Sequence, residues 1–260
     1  MDFLREAIQL IVEPPGDLVY YLVTLFALQQ VLTAALVSRS TLRREAFSRR
    51  WMWAAIGMLI VRGVLIVVSL LSTVGTTTSV QTLVPLERWG EVISILLVIW
   101  AAVLSQRPSR WQTWVLALLL ALTVGLGIYS LIEWPAWQAA GYVFGDTPLS
   151  IMWEMASIGS LVLALLLCGV LRPIEWEWAI GACLFWLAGH VTQILFADPA
   201  LHISGWERLG ILIAFPLLAM LAHRQLANPR MLKKSIGSLA DIIPLQNVIQ
   251  TIVSARELEP

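Results

Sequence analysis

Apolar residues in this chain do not alternate with polar ones; they gather in long runs separated by short polar breaks. Seven runs, 18–38, 51–72, 89–106, 111–132, 149–171, 176–197 and 203–222, approach the roughly 20 residues a helix needs to cross about 30 Å of hydrocarbon. The first and fourth carry no charge. The third and seventh are the weakest, with uncharged cores confined between Glu91 and Arg107 and between Arg208 and His223. The pattern predicts an all-α protein, a polytopic membrane bundle of seven transmembrane helices.

The flanking segments read differently. Residues 1–16 are expected to form an outer interfacial helix and linker, with Phe3, Leu4, Ala7, Ile8, Leu10 and Ile11 mainly on one face and a break at Pro14, Pro15 and Gly16. Asp2, Arg5, Glu6 and Glu13, with no small-residue cleavage site, argue against a cleavable signal peptide. Residues 17–223 make the seven-helix membrane domain. Residues 224–260 read as a basic cytoplasmic linker and an amphipathic helix whose Leu245, Ile249 and Ile252 share one stripe. That helix is expected to lie on the inner leaflet, to pair with a second copy, or to open a further domain. The longest outer loops are expected at 73–88 and 133–148. Ala117, Ala121 and Gly125, four residues apart, predict a close helix contact on the fourth span, and Pro216 predicts a bend in the seventh.

Composition narrows the class. Hydrophobic residues make up 58% of the 260 and charged residues 13%, with a mean hydropathy of +0.79, which excludes both a soluble globular domain and a disordered chain. The formal net charge is zero, so no basic field points to nucleic acid. The only cysteines, Cys168 and Cys183, are too few for a disulfide framework or a structural zinc site. The only lysines, Lys233 and Lys234, lie in the tail, so retinal has no lysine within a span. No metal-ligand spacing, nucleotide loop or nucleophile motif occurs. No cofactor, no metal and no enzymatic activity are expected on this chain.

The positive charges give an orientation. Thirteen of the 17 Arg and Lys residues fall in alternate loops and the tail: Arg39, Arg43, Arg44, Arg49 and Arg50; Arg107 and Arg110; Arg172; and Arg224, Arg230, Lys233, Lys234 and Arg256. Only Arg5, Arg88 and Arg208 lie on the opposite side, and Arg62 lies within a span. Seven crossings, N-out and C-in, follow. Trp51, Trp53, Trp111, Trp114, Trp176 and Trp178 then mark inner ends, and Trp89, Trp134, Trp137, Trp153 and Trp206 outer ends, as headgroup belts.

Ionisable residues within spans are costly, so they are the best pointers to function. Arg62 is expected roughly 15 Å deep, His190 roughly 10 Å, Glu154 roughly 7 Å and Glu91 roughly 5 Å, from the helical rise. Glu87, Glu91 and Ser94 share a helix face, as do Ser150, Glu154 and Ser157, and Cys183, Trp186, His190 and Gln193. These stripes should face the bundle interior. One reading is an outward-opening polar pocket built from Arg62, Glu91, Glu154, His190 and Gln193, with Arg62 seeking an anion. The other is a structural Arg–Glu pair that fixes helix order, with His190 a satisfied core residue.

The segment Glu13-Pro14-Pro15-Gly16-Asp17-Leu18-Val19-Tyr20, the seven short-looped spans and the helix-forming tail 245–260 together carry a resemblance. The chain resembles the N-terminal seven-transmembrane sensor module of bacterial signal-transduction proteins, which precedes GAF, histidine kinase or diguanylate cyclase domains. The resemblance implies a multi-pass protein of the bacterial inner (plasma) membrane that relays an external or membrane signal to a cytoplasmic signalling domain or partner through 224–260. It implies an unidentified ligand and the lipid bilayer as partners. No catalytic residue carries over, and the phospho-acceptor histidine, ATP-binding and GAF core segments are missing. Competing expectations are a small-solute transporter or channel, which needs polar residues through the inner half as well, and a structural subunit of a membrane complex. A homodimer is compatible with the tail.

Overall fold

A long apolar run can satisfy its backbone away from water only by closing the hydrogen bonds on itself, as a helix does. The computed structural model describes residues 11–12, 16–38, 45–74, 79–104, 110–196 and 204–227, and these hold seven long helices and no strand. They are α1 Gly16–Ser38, α2 Glu45–Thr73, α3 Ser79–Val98, α4 Arg110–Ala139, α5 Pro148–Leu171, α6 Trp176–Phe196 and α7 Gly205–Ala227. A π-helical turn, Ile99–Val103, extends α3, and a short 3-10 turn, Phe144–Asp146, precedes α5. Six of the seven, all but α3, are long and apolar enough to cross a membrane. The chain is an all-helical, multi-pass membrane protein. The interfacial helix expected in 1–13 falls almost wholly outside the described residues, and the tail helix at 245–256 lies wholly outside them.

The second helix starts six residues before its expected bound and the seventh ends five after, and two further boundaries reshape the expected outer loops. The third helix starts at Ser79, not 89, and the fourth runs to Ala139, not 132, so much of both expected outer loops is helical. Apolar runs were interrupted there by Glu87 and Arg88 and by Glu133 and Pro135, yet the helices continue through Pro85 and Pro135. Proline removes a single donor, and packing near the end of α4 compensates: Trp134 stacks edge-on to Phe144 at 5.1 Å and Trp137 to Tyr142 at 5.2 Å.

The one long helix not apolar enough to count as a membrane span is also the most enclosed. From Thr82 to the end of the π-turn at Val103, α3 exposes no residue, and it packs against α2, α4 and α5. A helix shielded from lipid can carry charges that a peripheral one cannot. The fourth helix is the opposite case. It is exposed along most of its length and buries only Thr123, Gly127, Ser130 and Trp134. Ala117, Ala121 and Gly125 lie on its exposed face, so among the described residues they make no close helix contact. The tight approach lies elsewhere. A Cβ on Gly210 would stand 2.8 Å from Phe185 O, and one on Gly189 2.9 Å from Trp206 O, so α6 and α7 nearly touch backbone to backbone.

The tryptophans divide likewise. Trp53, Trp111 and Trp114 are exposed, as a headgroup belt requires, but Trp51, Trp134 and Trp153 are fully buried. Buried indole needs an acceptor. Trp51 Nε1 donates to Gln225 Oε1 at 3.1 Å and Trp153 Nε1 to Ser130 Oγ at 2.8 Å. Gln225 is the knot at the end of α7: its Nε2 also donates to Ile174 O at 2.7 Å and Ala102 O at 3.4 Å, tying α7 to the α5–α6 turn and the π-turn.

Candidate functional site

The other polar knot forms where α1, α3, α5 and α7 begin. The third helix supplies Glu87, Arg88 and Glu91 at spacings of one and three, which place the first and last on one face and Arg88 beside them. Glu154 comes from the second turn of α5, His190 from the latter part of α6, and Glu207 and Arg208 from the first turn of α7. Five helices with the α1 tyrosines thus converge on one buried volume. Arg88, Glu91, His190, Glu207 and Arg208 are all buried, and Glu154 is half-buried.

His190 is the centre of one half. Its Nδ1 lies 2.8 Å from Glu154 Oε2 and 3.9 Å from Glu207 Oε1, and its Nε2 lies 3.0 Å from Glu91 Oε1. Trp186, one turn earlier on α6, donates Nε1–H to the same Glu91 oxygen at 2.6 Å. Arg88 closes the ring: it donates to Glu154 Oε1 at 3.0 Å, to Glu207 Oε2 and to Ser204 Oγ. Three carboxylates therefore face one guanidinium and one imidazole. Glu207 Oε1 is buried and has no hydrogen-bond partner among the described residues.

Arg208 is the centre of the other half. Its Nε and Nη2 donate to the two oxygens of Glu87 at 2.8 and 2.9 Å, a forked pair. It also donates to Ile11 O at 2.7 Å and to Tyr21 Oη at 3.0 Å, and its guanidinium lies over the Tyr20 and Tyr21 rings at 4.9 and 5.2 Å. The pre-span segment enters here. Asp17 accepts from Ser69 of α2, and Tyr20 accepts from Arg62 at 3.3 Å.

Of the residues singled out from sequence, Glu91, Glu154 and His190 are brought together. Gln193 is not among them: its Oε1 accepts from Trp206 N at 3.3 Å, meeting one of the free donors at the start of α7. Arg62 is fully buried but turns elsewhere, with its guanidinium 5.0 Å from the Phe215 ring and 5.7 Å from Tyr20. Its Nε and Nη2 have no hydrogen-bond partner among the described residues, so the expected Arg–Glu pair is made by Arg88 and Arg208 instead. The charge pattern assigns those two to the outer side. The signal that marks them is adjacency: Glu87-Arg88 and Glu207-Arg208 are opposite charges side by side at the edge of apolar runs, where charge can be neutralised in place. One ligand atom each from Glu91, His190 and Glu207 lies within 4.8 Å of the others, a separation that a bound cation can span.

A small cavity of about 10 Å³, close to one water in size, is bordered by Glu87, Arg88, Glu91, Ser204, Glu207 and Arg208. The arrangement can hold a cation, relay a proton or fix α7 against four neighbours. Away from it the core is largely apolar, built around Leu28, Val31, Met58, Ile95, Leu161, Phe215 and Leu218, with Arg62 buried against Phe215, until Gln225 is reached. Comparison with family models, with curated proteins and with solved structures gave no match to this chain.

Proposed function

We propose that this chain is a membrane signal-input module of seven spans, N-out and C-in, in which the buried ion cluster responds to a signal from outside and α7 passes the response inward. The observation that carries this reading is that α7 is gripped by polar contacts at both ends and by little else that is polar. Glu207 and Arg208 hold its start to α1, α3 and α6, and through Arg88 to α5, and Gln225 holds its finish to α2, the π-turn and the α5–α6 turn. A change in the cluster shifts the balance between packings of one helix, and the tail 228–260 follows directly from it. Charge supports the orientation: with Arg88 and Arg208 inside the bundle, Arg5 alone remains of the three cations assigned outside. The mostly apolar layer between the two knots, broken by the buried Arg62, offers a solute few polar partners.

The test is a fusion in which a signalling reporter domain follows residue 260 in cells. Gln225→Leu, which removes the inner knot, is expected to change basal reporter output several-fold while the protein still reaches the membrane. Unchanged output in both Gln225→Leu and Glu207→Gln, at normal membrane levels, counts against the reading.

A further inference from the structure

We infer that Glu91, His190 and Glu207 form a binding site for one divalent transition-metal cation. The inference goes beyond the signalling reading and does not depend on it. It starts from a conflict in the geometry. When His190 donates Nδ1–H to Glu154 at 2.8 Å, Nε2 presents a lone pair to Glu91 Oε1 only 3.0 Å away. Two acceptors at that distance need a positive species between or beside them, a proton or a metal ion.

Satisfaction favours the metal. With all three carboxylates ionised and His190 neutral, Arg88 leaves two negative charges, which one divalent cation cancels as two protons would. Glu207 Oε1, buried and without a hydrogen-bond partner among the described residues, borders the same ring, 3.9 Å from His190 Nδ1. The three donors already lie within 4.8 Å of one another. An ion about 2.0–2.2 Å from each donor asks them to close to roughly 3–4 Å, which side-chain adjustment supplies.

The surroundings are those that metal ligands need. A ligating histidine characteristically gives its second N–H to a carboxylate, which Glu154 provides. Ligating carboxylates are themselves hydrogen-bonded, and here Trp186 holds Glu91 at 2.6 Å while Arg88 holds Glu207 by its other oxygen. The adjoining cavity of about 10 Å³ has room for one water beside the ion. One imidazole with carboxylates and no thiolate suits Zn²⁺, Mn²⁺ or Fe²⁺, and not soft Cu⁺ or the all-oxygen preference of Ca²⁺.

The test uses the purified full chain in lipid nanodiscs, stripped with chelator and titrated with Zn²⁺ alone. One Zn²⁺ per chain is expected. His190→Gln and Glu207→Gln should each weaken binding at least roughly tenfold, and Glu133→Gln, on α4 away from the cluster, should not. With Mn²⁺ as the probe, pulsed electron paramagnetic resonance should show coupling to one imidazole nitrogen, lost in His190→Gln. Wild-type chain that takes up no ion at one equivalent, or bound Mn²⁺ without nitrogen coupling, overturns the proposal. Both wild-type readouts decide it even where a variant fails to fold.

Discussion

Arg208 forks onto Glu87, Nε to Oε1 at 2.8 Å and Nη2 to Oε2 at 2.9 Å, and so joins the first turn of α7 to the central helix α3. Arg208 is buried and Glu87 nearly so, so neither charge can turn to water if its partner is lost. Arg208→Met should therefore destabilise the solubilised protein by about 3–5 kcal/mol, the usual cost of stranding one buried charge. The double variant Arg208→Met with Glu87→Met should regain much of that loss, because it leaves no charge behind. Thermal unfolding of the two variants in the same detergent measures both.

Gly210 and Gly189 set how closely α6 and α7 approach. A Cβ on Gly210 meets Phe185 O at 2.8 Å and Gly189 Cα at 3.0 Å, and backbone cannot move aside as a flexible side chain can. Gly210→Ala should cost about 1–3 kcal/mol as an overpacking change. Gly181→Ala on α6, with nothing within 4 Å of its Cβ, should be neutral or stabilising by up to about 1 kcal/mol. Unfolding midpoints of the pair give the contrast.

Burial along α3 and exposure along α4 predict a labelling pattern. A carbene-generating probe dissolved in the lipid should mark Leu118, Leu122, Ile128 and Ile132 of α4, which are exposed. It should leave residues 82–103 of α3 and its π-turn unmarked. Peptide mapping by mass spectrometry reads this directly.

The seven helices were legible in sequence because lipid permits few alternatives to an apolar run of that length. Glu91, Glu154 and His190 were legible as inward-facing because each shares a helical stripe with small or polar residues. What the sequence concealed has physical causes. Arg88, Glu207 and Arg208 end apolar runs, and a charge at the end of a run looks the same whether it meets headgroups or a buried partner. Arg62 was matched to the wrong partners because depth along a helix says nothing of where a neighbour stands around it. The metal-capable set draws one residue from each of three helices, so no spacing announces it. Much of 73–88 and 133–148, expected as outer loops, is helical, and the helices run through Pro85 and Pro135.

The proposed function requires an odd number of crossings, with α3 spanning despite its charges, and with the cluster toward the exterior. A phosphatase active only outside the cell and a fluorescent protein that matures only in the cytosol, each fused in turn to the two ends of the chain, test this most directly. Phosphatase activity at the amino end and fluorescence at the carboxyl end are the predicted result. The same reporter active at both ends would contradict it.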